Sequence, residues 1–141
     1  MTSADKPGHI AQCLELGILF EVSANKPGNI TMVMGFEDTF YQHFLASAVA
    51  AAPSFRYAAQ QGMKVAEGQI GVGEVGLGRI IKGCVEDIDN WQTGGNTLLG
   101  AVILLSPMAV AAGMTPAEYQ YNFRPDTMRE NLQLVVEATT P

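Results

Sequence analysis

Basic residues are few in this sequence: 8 Lys and Arg stand against 14 Asp and Glu, for a formal net charge of −6. No stretch gathers them, which excludes the cationic footprint a nucleic-acid backbone requires. The acidic balance favours solubility and carries little information about fold. There are only two cysteines, Cys13 and Cys84. Each lies in an apolar helical pattern with no Cys or His at metal spacing, which excludes a disulfide framework and predicts buried free thiols in a reducing, cytoplasmic compartment. The two histidines, His9 and His43, are isolated from any nucleophile or second ligand. Aromatic residues are scattered as core residues and form no base-stacking platform. No basic-then-apolar leader opens the sequence, and the polar stretch from Met1 to Gly8 is expected to fray. Repeats, low-complexity segments and internal linkers are all lacking.

Runs of β-branched residues are scarce too, whereas Ala and Gly are abundant (15 glycines), and this balance points to helices packed closely together. At 141 residues and 48% hydrophobic, the chain fits one domain with a full core. The spacing predicts an all-α fold, a compact bundle of about six helices forming a single domain over residues 1–141. The first helix runs from about His9 to Ala24, with Ile10, Cys13, Leu14, Gly17 and Ile18 on one face. After the Asn25–Asn29 turn, Ile30 to Phe36 is irregular, with room for a strand. A second helix starts near Asp38 or Thr39. Pro53, suited to a first helical position, opens a third that ends near Glu67. A fourth helix, from about Glu74 to Trp91, carries the apolar stripe Leu77, Ile80, Ile81, Cys84, Ile88 and Trp91. Thr97 to Ala112 is apolar on every side and reads as a central helix buried all round. Ser106-Pro107 interrupts it and the flanking helices are amphipathic, which argues against a membrane span, and Pro107 is expected to kink or split it. Gly113 ends it, Thr115-Pro116 starts a short helix, and Pro125 starts the last, to about Ala138.

Glu21 is the most informative single residue. At 100° per residue it falls in the middle of the first helix's apolar arc, where a carboxylate must be compensated. It is either a structural carboxylate tied to loop amides or Lys26, or a metal or substrate ligand. Lys26-Pro27-Gly28-Asn29 is a rigid turn whose amides and cation suit a phosphate, although such turns are commonly plain surface loops. Glu37-Asp38 is a carboxylate pair that can hold Mg²⁺ or simply cap a helix. Gly94-Gly95-Asn96-Thr97 leads into the apolar helix and is either an anion site or an ordinary cap with a glycine hinge. Gly71-Val72-Gly73-Glu74-Val75-Gly76 spells a dinucleotide fingerprint, but no strand precedes it, so it reads as a loop and a close-packed helix start.

Taken together, these segments resemble the N-terminal half of the triphosphoribosyl-dephospho-CoA synthase family. The resemblance rests on Glu21-Val22-Ser23-Ala24 with Lys26-Pro27-Gly28, on Phe36-Glu37-Asp38-Thr39 with Phe44-Leu45-Ala46-Ser47-Ala48, and on Gly94-Gly95-Asn96-Thr97 with Gly100. Order and spacing agree from about residue 10 to 115. Two departures mark a divergent, archaeal-type branch. Met34-Gly35-Phe36 stands where the family carries a His before its acidic motif, and Leu98-Leu99 stands where it continues with His and Lys.

The resemblance implies an all-helical transferase that moves a triphosphoribosyl group from ATP to a dephospho-CoA-like acceptor, with adenine leaving. A ribose hydroxyl attacks the anomeric carbon of ATP, which calls for Mg²⁺ on the triphosphate and a carboxylate to take the hydroxyl proton. It places Glu21 and Asp38 as catalytic groups and, with Glu37, as metal ligands. Ser23, Lys26, Gly28, Asn29, Ser47, Gly95, Asn96 and Thr97 then contact substrate. The chain spans about half of such a synthase, and its last helix, through Asn131 to Val136, keeps an apolar face in need of a partner. Either a C-terminal half is missing or copies pair as a homodimer or larger assembly. The rival readings are a non-catalytic nucleotide- or phosphate-binding half-protein and a helical oligomerisation module. No membrane partner is expected.

Overall fold

The computed structural model describes residues 5–24, 27–28, 30, 38–117 and 122–139. Among them the fold is all-helical. It comprises α1 (Lys6–Ser23), α2 (Tyr41–Ala66), a 3-10 turn (Val72–Glu74), α3 (Leu77–Trp91), α4 (Leu99–Met114) and α5 (Pro125–Ala138). Helix α4 packs against each of the other four and is the centre of the bundle, as its apolar sequence predicts. Its densest partner is α2, which presents Ala48, Ala51, Phe55, Ala58 and Ala59, all fully buried, to Val102, Ala109 and Val110. Small side chains on α2 let the two helices approach closely, and burial of their facing surfaces drives the association.

Local chemistry sets the helix ends. Asp5 caps α1 by accepting from the Gly8 amide at 3.2 Å, and Pro7 occupies the first turn, where its missing N–H costs nothing. Residues Pro7 and Gly8 are therefore buried in a helix rather than frayed. Gly68, at φ 70°, closes α2 in the left-handed conformation that glycine adopts freely, with Gln69 N donating to the Lys64 carbonyl. At the far end of α4, the Lys6 ammonium donates to the carbonyls of Gly113 (2.7 Å) and Thr115 (2.6 Å), satisfying acceptors the helix leaves over.

Several sequence expectations are revised. Pro53 does not open a helix. It lies inside α2, exposed, and the apolar packing on both sides of it offsets the lost hydrogen bond. Pro107 likewise leaves α4 continuous. Helix α4 is not buried all round, because Ile103 and Leu104 are 51% and 62% exposed, and its enclosed part is mainly Ser106–Gly113, with Val102 one turn earlier. Helix α2 begins at Tyr41 rather than at Asp38 or Thr39, and α3 begins after the 3-10 turn. Ala117 and Phe123 form an isolated antiparallel bridge where a short helix was expected to start. Trp91 is 65% exposed and leaves the apolar stripe of α3, because the helix ends there and the chain turns away. Cys84 is buried as expected, but Cys13 is exposed, and its Sγ lies 3.6 Å from Nε2 of His9 one helical turn earlier, so that histidine is not isolated from a thiol. The stretch with room for a strand, apart from Ile30 and beyond residue 30, lies outside the described residues.

Candidate active site

One end of the bundle collects the sequence's motifs. The last turn of α1 is tied to the first turn of α2 by a 2.8 Å hydrogen bond between the Ser23 and Tyr41 hydroxyls. The start of α2 is tied to the Gly94 loop by Thr39, whose hydroxyl donates to the Gly94 carbonyl at 2.8 Å. In the second turn of α2, Ser47 meets Thr97 at the entrance to α4, with 2.6 Å between the two hydroxyl oxygens. Residues from the first turn's flank, the acidic motif's flank and the glycine-Asn-Thr motif are thereby held at one pole.

The Gly94–Thr97 loop is rigidly held. Gln92 is buried; its amide oxygen accepts from Gly94 N and its amide nitrogen donates to the Gly95 carbonyl at 2.7 Å. His43 accepts from the Phe40 amide through Nδ1 at 3.0 Å, and its ring stands so close to Gly94 that a Cβ there would overlap it. Gly95 has φ 72°, a turn geometry that disfavours side chains. Asn96 Oδ1 accepts from Leu99 N at 3.1 Å, one of the amides that α4 leaves unpaired at its start.

Behind this loop lies a cavity of about 520 Å³ between α1 and the beginning of α4, within the range of roughly 300–1,000 Å³ common for small-molecule sites. Leu14, Ile18, Phe44, Leu98, Leu104 and Leu105 supply apolar walls, while Gly17 and Gly100 widen it. Glu21 and Thr97 line it together. The arc on which Glu21 was placed is real, since Leu14, Gly17 and Ile18 share the cavity with it. Its carboxylate, however, is exposed. An exposed position spares the acid the cost of burial that the sequence alone implied. The side chain therefore stands at the mouth of an apolar cavity rather than inside the core.

Ser23 and Asp38 are exposed beside the site, and Gly28 is exposed with φ 86°. Ser47 is fully buried behind Thr97. Lys26, Asn29 and Glu37 lie outside the described residues. Among the described residues no three His, Cys, Asp or Glu side chains gather as a metal cage. Sequence reasoning missed Thr39, Tyr41, Gln92 and the role of His43. Thr39 closes the Phe36–Thr39 motif and Gln92 stands two residues before Gly94, and that adjacency was their only signal. Of the two departures from the family motif, Leu98 is buried in the cavity wall and Leu99 is partly exposed outside it.

Residues 7–141 match the sequence profile of the CitG family, ATP:dephospho-CoA triphosphoribosyl transferase. The chain belongs to that family. Neither a curated protein nor a solved structure matches it significantly. The family is a transferase family of the dephospho-CoA triphosphoribosyl type and uses ATP as substrate. No helix among the described residues is long and apolar enough to cross a membrane.

Proposed function

We propose that this chain binds ATP at the pole between α1, α2 and α4 and transfers its triphosphoribosyl group to a dephospho-CoA-like acceptor, releasing adenine. The observation that carries the reading is that Glu21 and Thr97, from motifs far apart in sequence, line one cavity of nucleotide size. Glu21 and Asp38 act as the carboxylates of the reaction, one accepting the proton of the attacking ribose hydroxyl. Ser23, Lys26, Gly28 and Asn29 of the first motif, with Gly95, Asn96 and Thr97 of the glycine-Asn-Thr motif, contact the nucleotide, with Ser47 supporting Thr97. Glu21, Glu37 and Asp38 would hold Mg²⁺. A few carboxylates suit that ion, which takes much of its coordination from substrate phosphates and water. When bound, it neutralises charge on the triphosphate.

A second reading is favoured by Leu98. Apolar and buried where the family carries a polar side chain, it withdraws a polar group from the cavity wall. On that reading the chain holds a nucleotide without turning it over. Thermal melting with ATP and Mg²⁺ should raise the midpoint if the nucleotide site exists, and no shift at millimolar ligand would reject both readings. Adenine release from ATP on adding dephospho-CoA then separates transfer from mere binding. We further infer self-association through α5, whose Leu134 and Val136 are 50% and 55% exposed. Sedimentation of a monomer at all accessible concentrations would reject that assembly.

A further inference from the structure

The hydrogen-bond chain at the site fixes which way the Thr97 hydroxyl points. Ser47 Oγ lies 2.7 Å from the His43 carbonyl oxygen, and a carbonyl can only accept, so the one Ser47 proton goes there. This is the usual back-bond of a helical serine. Ser47 Oγ then has only lone pairs to offer Thr97 at 2.6 Å, so the Thr97 proton is directed to Ser47. With its proton committed, Thr97 Oγ1 meets the cavity as an acceptor and not as a donor.

That polarity decides what Thr97 can touch. A phosphate oxygen needs a donor and is repelled by lone pairs. The walls around Thr97 are aliphatic or aromatic, which opposes burying a triphosphate there and favours a flat ring. We propose, building on the nucleotide reading above, that the cavity takes the purine base of ATP, and that Thr97, oriented by Ser47, accepts a hydrogen bond from its 6-amino group. Glu21, exposed at the mouth, then lies towards the ribose, and the triphosphate extends outward from it. Gly100 and Ala101, also in the cavity lining, are second and third residues of α4, so their amides have no intrahelical acceptor. Next to Thr97 they supply the donor that matches a ring nitrogen. An acceptor beside a donor fits the 6-amino and N1 edge of a 6-aminopurine; a 6-oxopurine presents there a carbonyl acceptor and an N1–H donor, the reverse polarity.

The test is calorimetric binding of ATP and of inosine triphosphate, each with Mg²⁺ and without acceptor, to the full chain. Loss of one matched hydrogen bond predicts binding of inosine triphosphate roughly tenfold weaker than ATP. In Ser47→Ala the Thr97 hydroxyl is free to turn and donate, so the ratio should narrow through tighter inosine triphosphate binding, which a merely structural loss would not produce. Thr97→Val should narrow it from the other side, by weakening ATP alone. Equal binding of both nucleotides to the unaltered chain, within about twofold, would overturn the base-pocket inference and leave the nucleotide reading intact. Binding of neither would remove the nucleotide reading and this inference with it.

Discussion

Gly62 on α2 sits so close to the Val110 carbonyl of α4 that a Cβ at Gly62 would overlap the oxygen. The contact is reciprocal, because a Cβ on Gly113 of α4 would overlap the Ala59 carbonyl of α2. Two helices of the core thus touch backbone to backbone, and the small-residue face of α2 exists to allow it. Gly62→Ala and Gly113→Ala are each expected to lower stability by roughly 1–3 kcal/mol, read from urea unfolding. Gly83→Ala, at a helical position with nothing within 4 Å, should instead raise it by about 0.5–1 kcal/mol.

The Lys6 clamp on the end of α4 makes a second expectation. Lys6→Ala leaves the Gly113 and Thr115 carbonyls without their partner, and a loss of about 1–3 kcal/mol follows. By contrast, Asp5→Ala breaks the 2.7 Å pair with Arg56, about half exposed on both sides, whose ionic contribution is small. Most of that variant's cost, roughly 1 kcal/mol, should come from the lost helix cap.

Ser106 is fully buried, and its hydroxyl has no partner among the described residues. Ser106→Ala removes an uncompensated polar atom at almost no cost in volume. Its unfolding midpoint should stay equal or rise, by up to roughly 1 kcal/mol. A clear loss of stability would show that the hydroxyl is doing something the packing does not reveal.

The two thiols should behave oppositely. Exposed Cys13 should react with an alkylating reagent in the native protein, whereas buried Cys84 should react only on unfolding. Burial pushes the Cys84 thiol up from an ordinary 9.0 to about 11. Below pH 9.0 both folded and unfolded states hold the proton and the contribution is fully present. Between pH 9.0 and about 11 the unfolded chain releases its proton first, so stability falls as pH rises. The fall is of order 3 kcal/mol at most. Comparing unfolding at about pH 8 and about pH 10.5 in the parent and in Cys84→Ala isolates this slope.

Glu21→Gln tests the proposed chemistry without disturbing the fold. Because Glu21 is exposed, unfolding should shift by no more than about 0.5 kcal/mol. Adenine release should fall by roughly 10²–10⁴-fold if this carboxylate handles the proton. Unchanged turnover would assign that task to Asp38.

The sequence by itself determined the all-helical class, the bounds of α5, the amphipathic stripe of α3 and the central place of α4, because side-chain periodicity is a property of local order in the chain. It also determined the family, through motifs whose order and spacing persist however the helices pack. Only the tertiary structure decided that α2 runs unbroken through Pro53, since packing on both sides of the proline outweighs the local cost. The same holds for Glu21. Its position on an apolar arc is written in the sequence, but whether that arc is covered depends on which helices lie against it. Here Glu21 is exposed, so an acid that the chain alone would bury stands at the mouth of a cavity. The orientation of Thr97 is likewise invisible in sequence, because it follows from a hydroxyl on one helix reaching a hydroxyl on another.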